Sequence, residues 1–152
     1  MTALTGRTHA KYIKVYIDSI APTLTDVTAY VNTVGTIGLT YDTQDVTAFS
    51  DGTKNIVIGQ PTAALTIGGP FDSVGHTLFN AINGSAVPLS LDIQIGMRGA
   101  WETGAPQFGI TSDATHGYLM SGYTVDMQAN TWSATLDVYG VTAPAWGTVA
   151  ET

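Results

Sequence analysis

Apolar residues recur at every second position over most of this chain, and that period is the mark of a strand with one buried face. Ile13, Val15 and Ile17 alternate with Lys14, Tyr16 and Asp18. Leu89, Leu91, Ile93 and Ile95 alternate with Ser90, Asp92 and Gln94. Trp132, Ala134, Leu136 and Val138 alternate with Ser133, Thr135 and Asp137. Tyr, Val and Met keep a β rhythm over residues 119–127, and the short Gln128-Ala129-Asn130 link turns that segment back as a hairpin. Further strands are predicted over residues 26–31, 36–41, 45–49, 55–58 and 63–67, where Thr, Val, Ile and Tyr suit a pleated, half-buried surface.

One segment departs from that period. Asp72 and Ser73 can cap a helix, after which Val74, Leu78, Phe79 and Ile82 fall on one face at helical spacing. Asn83-Gly84 ends it with residues that tolerate positive φ, and Gly75 weakens it by about 1 kcal/mol relative to Ala. The expected architecture is all-β and mainly antiparallel, a β-sandwich or flattened barrel with one short flanking α-helix. Residues 12–141 form its single domain, and residues 1–11 and 142–152 lack alternation and read as extended assembly arms. Between residues 35 and 60 runs a polar excursion with Asp42, Asp45 and the Asp51-Gly52 turn, the pattern of a projecting hairpin. Asp26-Val27-Thr28-Ala29-Tyr30 recurs as Asp45-Val46-Thr47-Ala48-Phe49, which suggests two strands in similar settings rather than a solenoid.

Charge is scarce and one-sided. Charged residues make up 11% of 152, with 5 basic against 12 acidic groups and a net charge of −7, where ordinary soluble domains carry roughly a quarter. A surface built from hydroxyls, amides and glycine is cheap to desolvate, as faces covered by copies of the same chain would require. A neutral secreted β-domain shares that composition. Few Lys and Arg argue against a phosphate-binding surface. With no Cys there is neither a disulfide framework nor a thiolate zinc site. No apolar run is long enough for a membrane helix, so no membrane insertion is expected. Residues 1–11 lack the apolar core of a signal peptide, and synthesis in a cytoplasm without export is the expectation.

Catalytic signatures are missing: there is no nucleophile elbow, P-loop, dinucleotide fingerprint or zinc-protease helix. Asp113 and His116 lack a third ligand, and Asp18 with Asp26 has no distinctive context for a glycosidase pair. His76 lies near Asp72 and suggests a capping contact. Asn83-Gly84-Ser85 matches a glycosylation sequon that is silent without export. No enzyme activity, cofactor or metal is expected. Trp132 faces the core, whereas Trp101 and Trp146 sit in loop-like settings and read as aromatic anchors in subunit contacts, or else as a sugar platform.

The succession of segments resembles a known family. A first strand ends in Asp18, and Asp26-Val27-Thr28-Ala29-Tyr30-Val31-Asn32-Thr33-Val34 and Asp45-Val46-Thr47-Ala48-Phe49-Ser50-Asp51-Gly52 follow. Then Ala64-Leu65-Thr66-Ile67-Gly68-Gly69-Pro70-Phe71-Asp72 leads into the helix, and a hairpin over residues 118–140 closes the domain. Over residues 12–140 this is similar to the tail tube (major tail) proteins of long-tailed bacteriophages, although no immunoglobulin-like domain is appended. The resemblance implies a β-sandwich that closes into hexameric rings whose sheets form an inner barrel. Rings stack into a virion tail tube, assembled from subunits made in the host bacterial cytoplasm. Its partners would be copies of itself and other virion proteins at the tube ends, with DNA passing through unbound. Subunit contacts then fall to Asp45, Thr47, Phe49, Asp51, Trp101 and Trp146. Asp92 and Asp137, on the polar sides of their strands, are the expected lumen acids, neither of them buried. The alternatives are another virion component (a capsid decoration, connector or tail-tip protein) or a carbohydrate-binding module.

Overall fold

The computed structural model describes residues 13–20, 23–95 and 106–147. In chain order it contains β1 (Ile13–Asp18), β2 (Leu24–Asp26), a 3-10 turn (Thr28–Tyr30), β3 (Thr33–Val34), β4 (Thr40–Asp45), β5 (Ile56–Thr62) and β6 (Leu65–Pro70). A helix, α1 (Ser73–Ile82), is followed by β7 (Leu91–Ile95), β8 (Gln107–Ile110), β9 (His116–Asp126), β10 (Thr131–Gly140) and β11 (Ala145–Trp146). The strands pair antiparallel in a five-stranded sheet ordered β11-β8-β7-β1-β2, a four-stranded sheet ordered β3-β6-β10-β9, and a separate β4-β5 ribbon. The architecture is the all-β sandwich with one flanking helix that the periodicity implies, and among the described residues the sheets do not close into a barrel.

Alternation decides which face of each strand goes inside. On β10, Trp132, Ala134 and Leu136 are buried while Ser133, Thr135 and Asp137 are exposed. The register sets Leu136 beside Met120 and Ala134 beside Tyr123, with a bulge at Thr135/Leu136 that keeps both apolar sets inward. The opposing sheet contributes Val15, Ile17, Leu91, Ile93 and Ile110, and the two inner faces form one continuous core.

Helix α1 begins where expected. Asp72 accepts hydrogen bonds from the Val74 and Gly75 amides at 2.8 and 3.0 Å, satisfying two of the helix's unpaired donors. Its buried stripe is Gly75, Phe79 and Ile82, whereas Val74 is 64% exposed. The face is rotated from the expected one because Phe79 stacks on Trp132 at 4.3 Å between ring centroids, and that contact fixes the helix's roll. Gly75 lies against the Tyr30 ring, where an added Cβ would meet ring carbons at 3.1–3.2 Å. Gly84, at φ +74°, makes the stop while Asn83 stays extended.

Two predicted strands are turns instead. The Asp26 carboxylate accepts from the Thr28 amide at 2.9 Å, and the Asp45 carboxylate accepts from the Thr47 amide at 2.9 Å. The Asp-Val-Thr repeat therefore marks one side-chain-closed turn used twice, and the local acceptor overrides the β propensity of Val and Thr. The expected strand over residues 26–31 becomes the end of β2 and a 3-10 turn, and that over 45–49 becomes the tip of the ribbon.

Candidate assembly surface

Residues 40–62 form the projecting hairpin. Every residue of β4 is exposed, as is nearly every residue of β5. Such a ribbon presents both faces. Ile56 and Ile58 point to one side and Val57 to the other, and all three are about half exposed. At the tip, Asp51 accepts from the Ala48 amide at 2.7 Å and the Asp51 amide donates to the Ala48 carbonyl at 3.0 Å. The Asn55 amide donates to Thr47 Oγ1 at 2.8 Å. Hydrogen bonds from Thr47 hold the Asp45 carboxyl below its ordinary range, and the Ala48 amide, with Asn55, does the same for Asp51. The two acids are thus turned back on the tip's own backbone, and Phe49 stands clear at 113% relative exposure. Of the expected contact residues, Asp45, Thr47, Phe49 and Asp51 come together here.

Trp146 does not join them. It pairs through β11 with β8, its ring rests on Phe108 at 5.1 Å, and it is 49% exposed. Two residues of the expected C-terminal arm therefore extend the five-stranded sheet. Trp101 lies outside the described residues.

The two expected lumen acids separate. Asp137 is exposed on the outer face of the four-stranded sheet and accepts from Ser121 Oγ at 2.6 Å. That face also carries Thr33, Thr66, Thr124, Ser133 and Thr135, and no Lys or Arg occurs on the sheet's strands. Asp92 contradicts the expectation of exposure. It is fully buried, with Oδ2 accepting from Gln94 Nε2 at 2.9 Å. Strand β7 is covered on both faces, and alternation identifies a polar side without saying whether water reaches it.

The other polar candidates are structural. Asp18 is buried and accepts from the Ser90 amide at 2.9 Å and Ser112 Oγ at 3.3 Å, while Asp26 is exposed and closes its turn. Asp113 and His116 close a tight turn with a 3.1 Å contact, and no group of three metal-ligating residues occurs among the described residues. The His76 side chain does not reach back to Asp72 but contacts the Tyr123 hydroxyl at 3.0 Å. No described helix is long and apolar enough to cross a membrane.

Periodicity gave no sign of one feature. A groove of about 640 Å³ runs between α1 and the turn after β1, lined by Ile20, Tyr30, Val74, Thr77, Leu78 and Ala81. The rotation of α1 that exposes Val74 creates one of its walls.

No protein-family model matches the chain, and no curated protein does. Solved structures do match. A chain of the PVC sheath/tube terminator, from an extracellular contractile injection system in its extended state, is 12% identical with a TM-score of 0.61. That likeness covers 96% of this chain and 100% of the other. The tube-terminating cap of the anti-feeding prophage is 13% identical at a TM-score of 0.62, over 98% of this chain and 96% of that one. A chain of the PVC sheath-tube complex is 12% identical at 0.58, over 95% and 93%. At such identities the likeness is one of fold, and it extends over almost the whole of each chain.

Proposed function

We propose that this chain is a structural, non-enzymatic subunit of a phage-tail-like tube, closing with copies of itself into rings that stack. The observation that carries the proposal is the end-to-end match to tube terminator, cap and sheath-tube chains, with coverage near complete in both directions. Composition supports it independently. A subunit covered on several sides by its own copies has little need of surface charge, and this one is 11% charged. Its partners would be further copies and other tail proteins at the tube's ends. The outer face of the four-stranded sheet suits a channel wall, because hydroxyls and Asp137 without basic residues repel a phosphate backbone instead of trapping it.

Negative-stain imaging of the purified protein tests this reading, with rings or hollow tubes expected and a monomer at every accessible concentration refuting it. A second reading, that the chain ends a tube rather than building one, is favoured by the terminator and cap among the matched structures. Discrete rings that bind the end of a preformed tube and never elongate would select it. For the channel, Asp137→Lys preserves fold and assembly, since Asp137 is exposed, and slows DNA passage most at low salt. Normal passage would remove Asp137 from the wall.

A further inference from the structure

The hairpin tip and the groove beside α1 are complementary. The tip offers one aromatic ring with no cover of its own, carried on a turn closed by its own hydrogen bonds. Little conformational freedom is left to lose there on binding, which favours a preformed knob. The groove is walled mainly by Ile20, Tyr30, Val74, Leu78 and Ala81, with Ser19, Ser73 and Thr77 at its polar positions, and among the described residues no charged one lines it. Its volume of about 640 Å³ accommodates a Phe ring together with a neighbouring side chain such as Val46. Asp45 and Asp51, the acids nearest the knob, are bonded back into the tip, so no unpaired carboxylate needs to enter an apolar site.

We propose that Phe49 of one copy seats in the groove between α1 and Ser19-Ile20, at the end of β1, of a neighbouring copy. This rests on the reading of the chain as a self-assembling subunit and names the contact that joins the copies. Knob and hole are different patches of one surface, so each copy gives one knob and receives another; given and received by different neighbours, as the tube reading requires, the contact is heterologous and propagates into rings or stacks. One aromatic side chain buries about 150–250 Å², far short of the roughly 1,200 Å² of a stable pairwise interface. The contact therefore holds only when repeated through an array and joined by other contacts, such as the exposed Ile56, Val57 and Ile58 on the ribbon's two faces.

The chain has no cysteine, so introduced thiols report on this contact alone. Ser50→Cys, which keeps the Phe49 ring, and Val74→Cys proteins, prepared separately, are mixed under assembling conditions and treated with a short bismaleimide. The mixture should yield a covalent dimer that neither protein yields alone, and the double variant a ladder of multimers. Phe49→Ser should keep the circular dichroism of the parent and raise the concentration needed for assembly about 30-fold or more, the loss typical of an interface hot spot. Rings or tubes that form without a 50–74 cross-link, or that tolerate Phe49→Ser, overturn the contact and leave the tube reading intact. Cross-linking of Ser50→Cys to itself overturns it in favour of tip-to-tip pairing. A wild-type protein that never assembles overturns both.

Discussion

Gly75→Ala sets two effects of known size against each other. In an unconstrained helix, replacing Gly by Ala adds up to about 1 kcal/mol, and the first turn gives less. Here the new methyl group meets the Tyr30 ring at 3.1 Å from Cγ and 3.2 Å from Cδ1. The Tyr30 main chain cannot retreat. Its carbonyl accepts from Trp132 Nε1 at 3.1 Å, and Gly69 packs so closely on the same carbonyl that even a Cβ there would overlap it. The ring, which lines the groove, must give way instead, at the expense of its edge-on contact with Phe79 at 6.5 Å. Overpacking of this kind costs about 1–3 kcal/mol, so the net expectation is a loss of about 1 kcal/mol. For a domain of this size that lowers Tm by roughly 2–4 °C. The assay is a double-mutant cycle read by urea unfolding, with Gly75→Ala measured in the parent and in Tyr30→Ala. Without the ring, Gly75→Ala should stabilise by up to about 1 kcal/mol. Equal effects in both backgrounds, or stabilisation in the parent, would show that the ring does not dictate glycine here.

Two further predictions concern pH. Burial raises the Tyr118 phenol above its ordinary value of 10, and its hydroxyl donates to the Ala63 carbonyl at 2.9 Å. The stability this supplies is whole below pH 10, where the phenol is neutral in both states, and falls as pH rises toward the folded-state value. Alkaline titration followed by absorbance should show a late-ionising tyrosine class made up of Tyr118 and, less delayed, Tyr123, whose phenol burial also raises, and Tyr118→Phe should remove the later part at a cost of about 1–3 kcal/mol for the orphaned carbonyl. The opposite sign applies at the hairpin tip. Asp45 and Asp51 titrate below 3.8, so the tip's order is intact above that pH and is lost as pH falls through the lowered values. The amide resonances of Thr47 and Ala48 should report the loss while core amides stay unmoved.

What the sequence disclosed follows one physical line. Strands with one wet face, such as β1 and β10, are legible because burial alternates with the pleat. Strand β8 was missed: Gln107, Phe108, Gly109 and Ile110 are all buried, and a strand covered on both sides keeps no period to read. The same loss makes Asp92 look exposed. The Asp-Val-Thr turns were misread because propensity weighs Val and Thr, while one carboxylate oxygen decides the backbone. The tip was legible as a polar interruption with the Asp51-Gly52 turn, but the groove was not. It depends on α1's roll, which Trp132 sets across 53 residues of sequence, counted from Phe79 to Trp132.

The strand order β3-β6-β10-β9 also governs the sequence of events during synthesis. Strand β6 leaves the ribosome with only the short β3 beside it, and its other edge stays unpaired until β10 has been made. Its long partner arrives late, as part of the β9–β10 hairpin, which forms locally and then docks against the waiting edge. No growing chain can complete its outer wall early, and an incomplete subunit exposes a strand edge instead of an ordered surface. In a chain with so little charge to guard it, that unpaired β6 edge is the segment most open to wrong pairing before β10 docks.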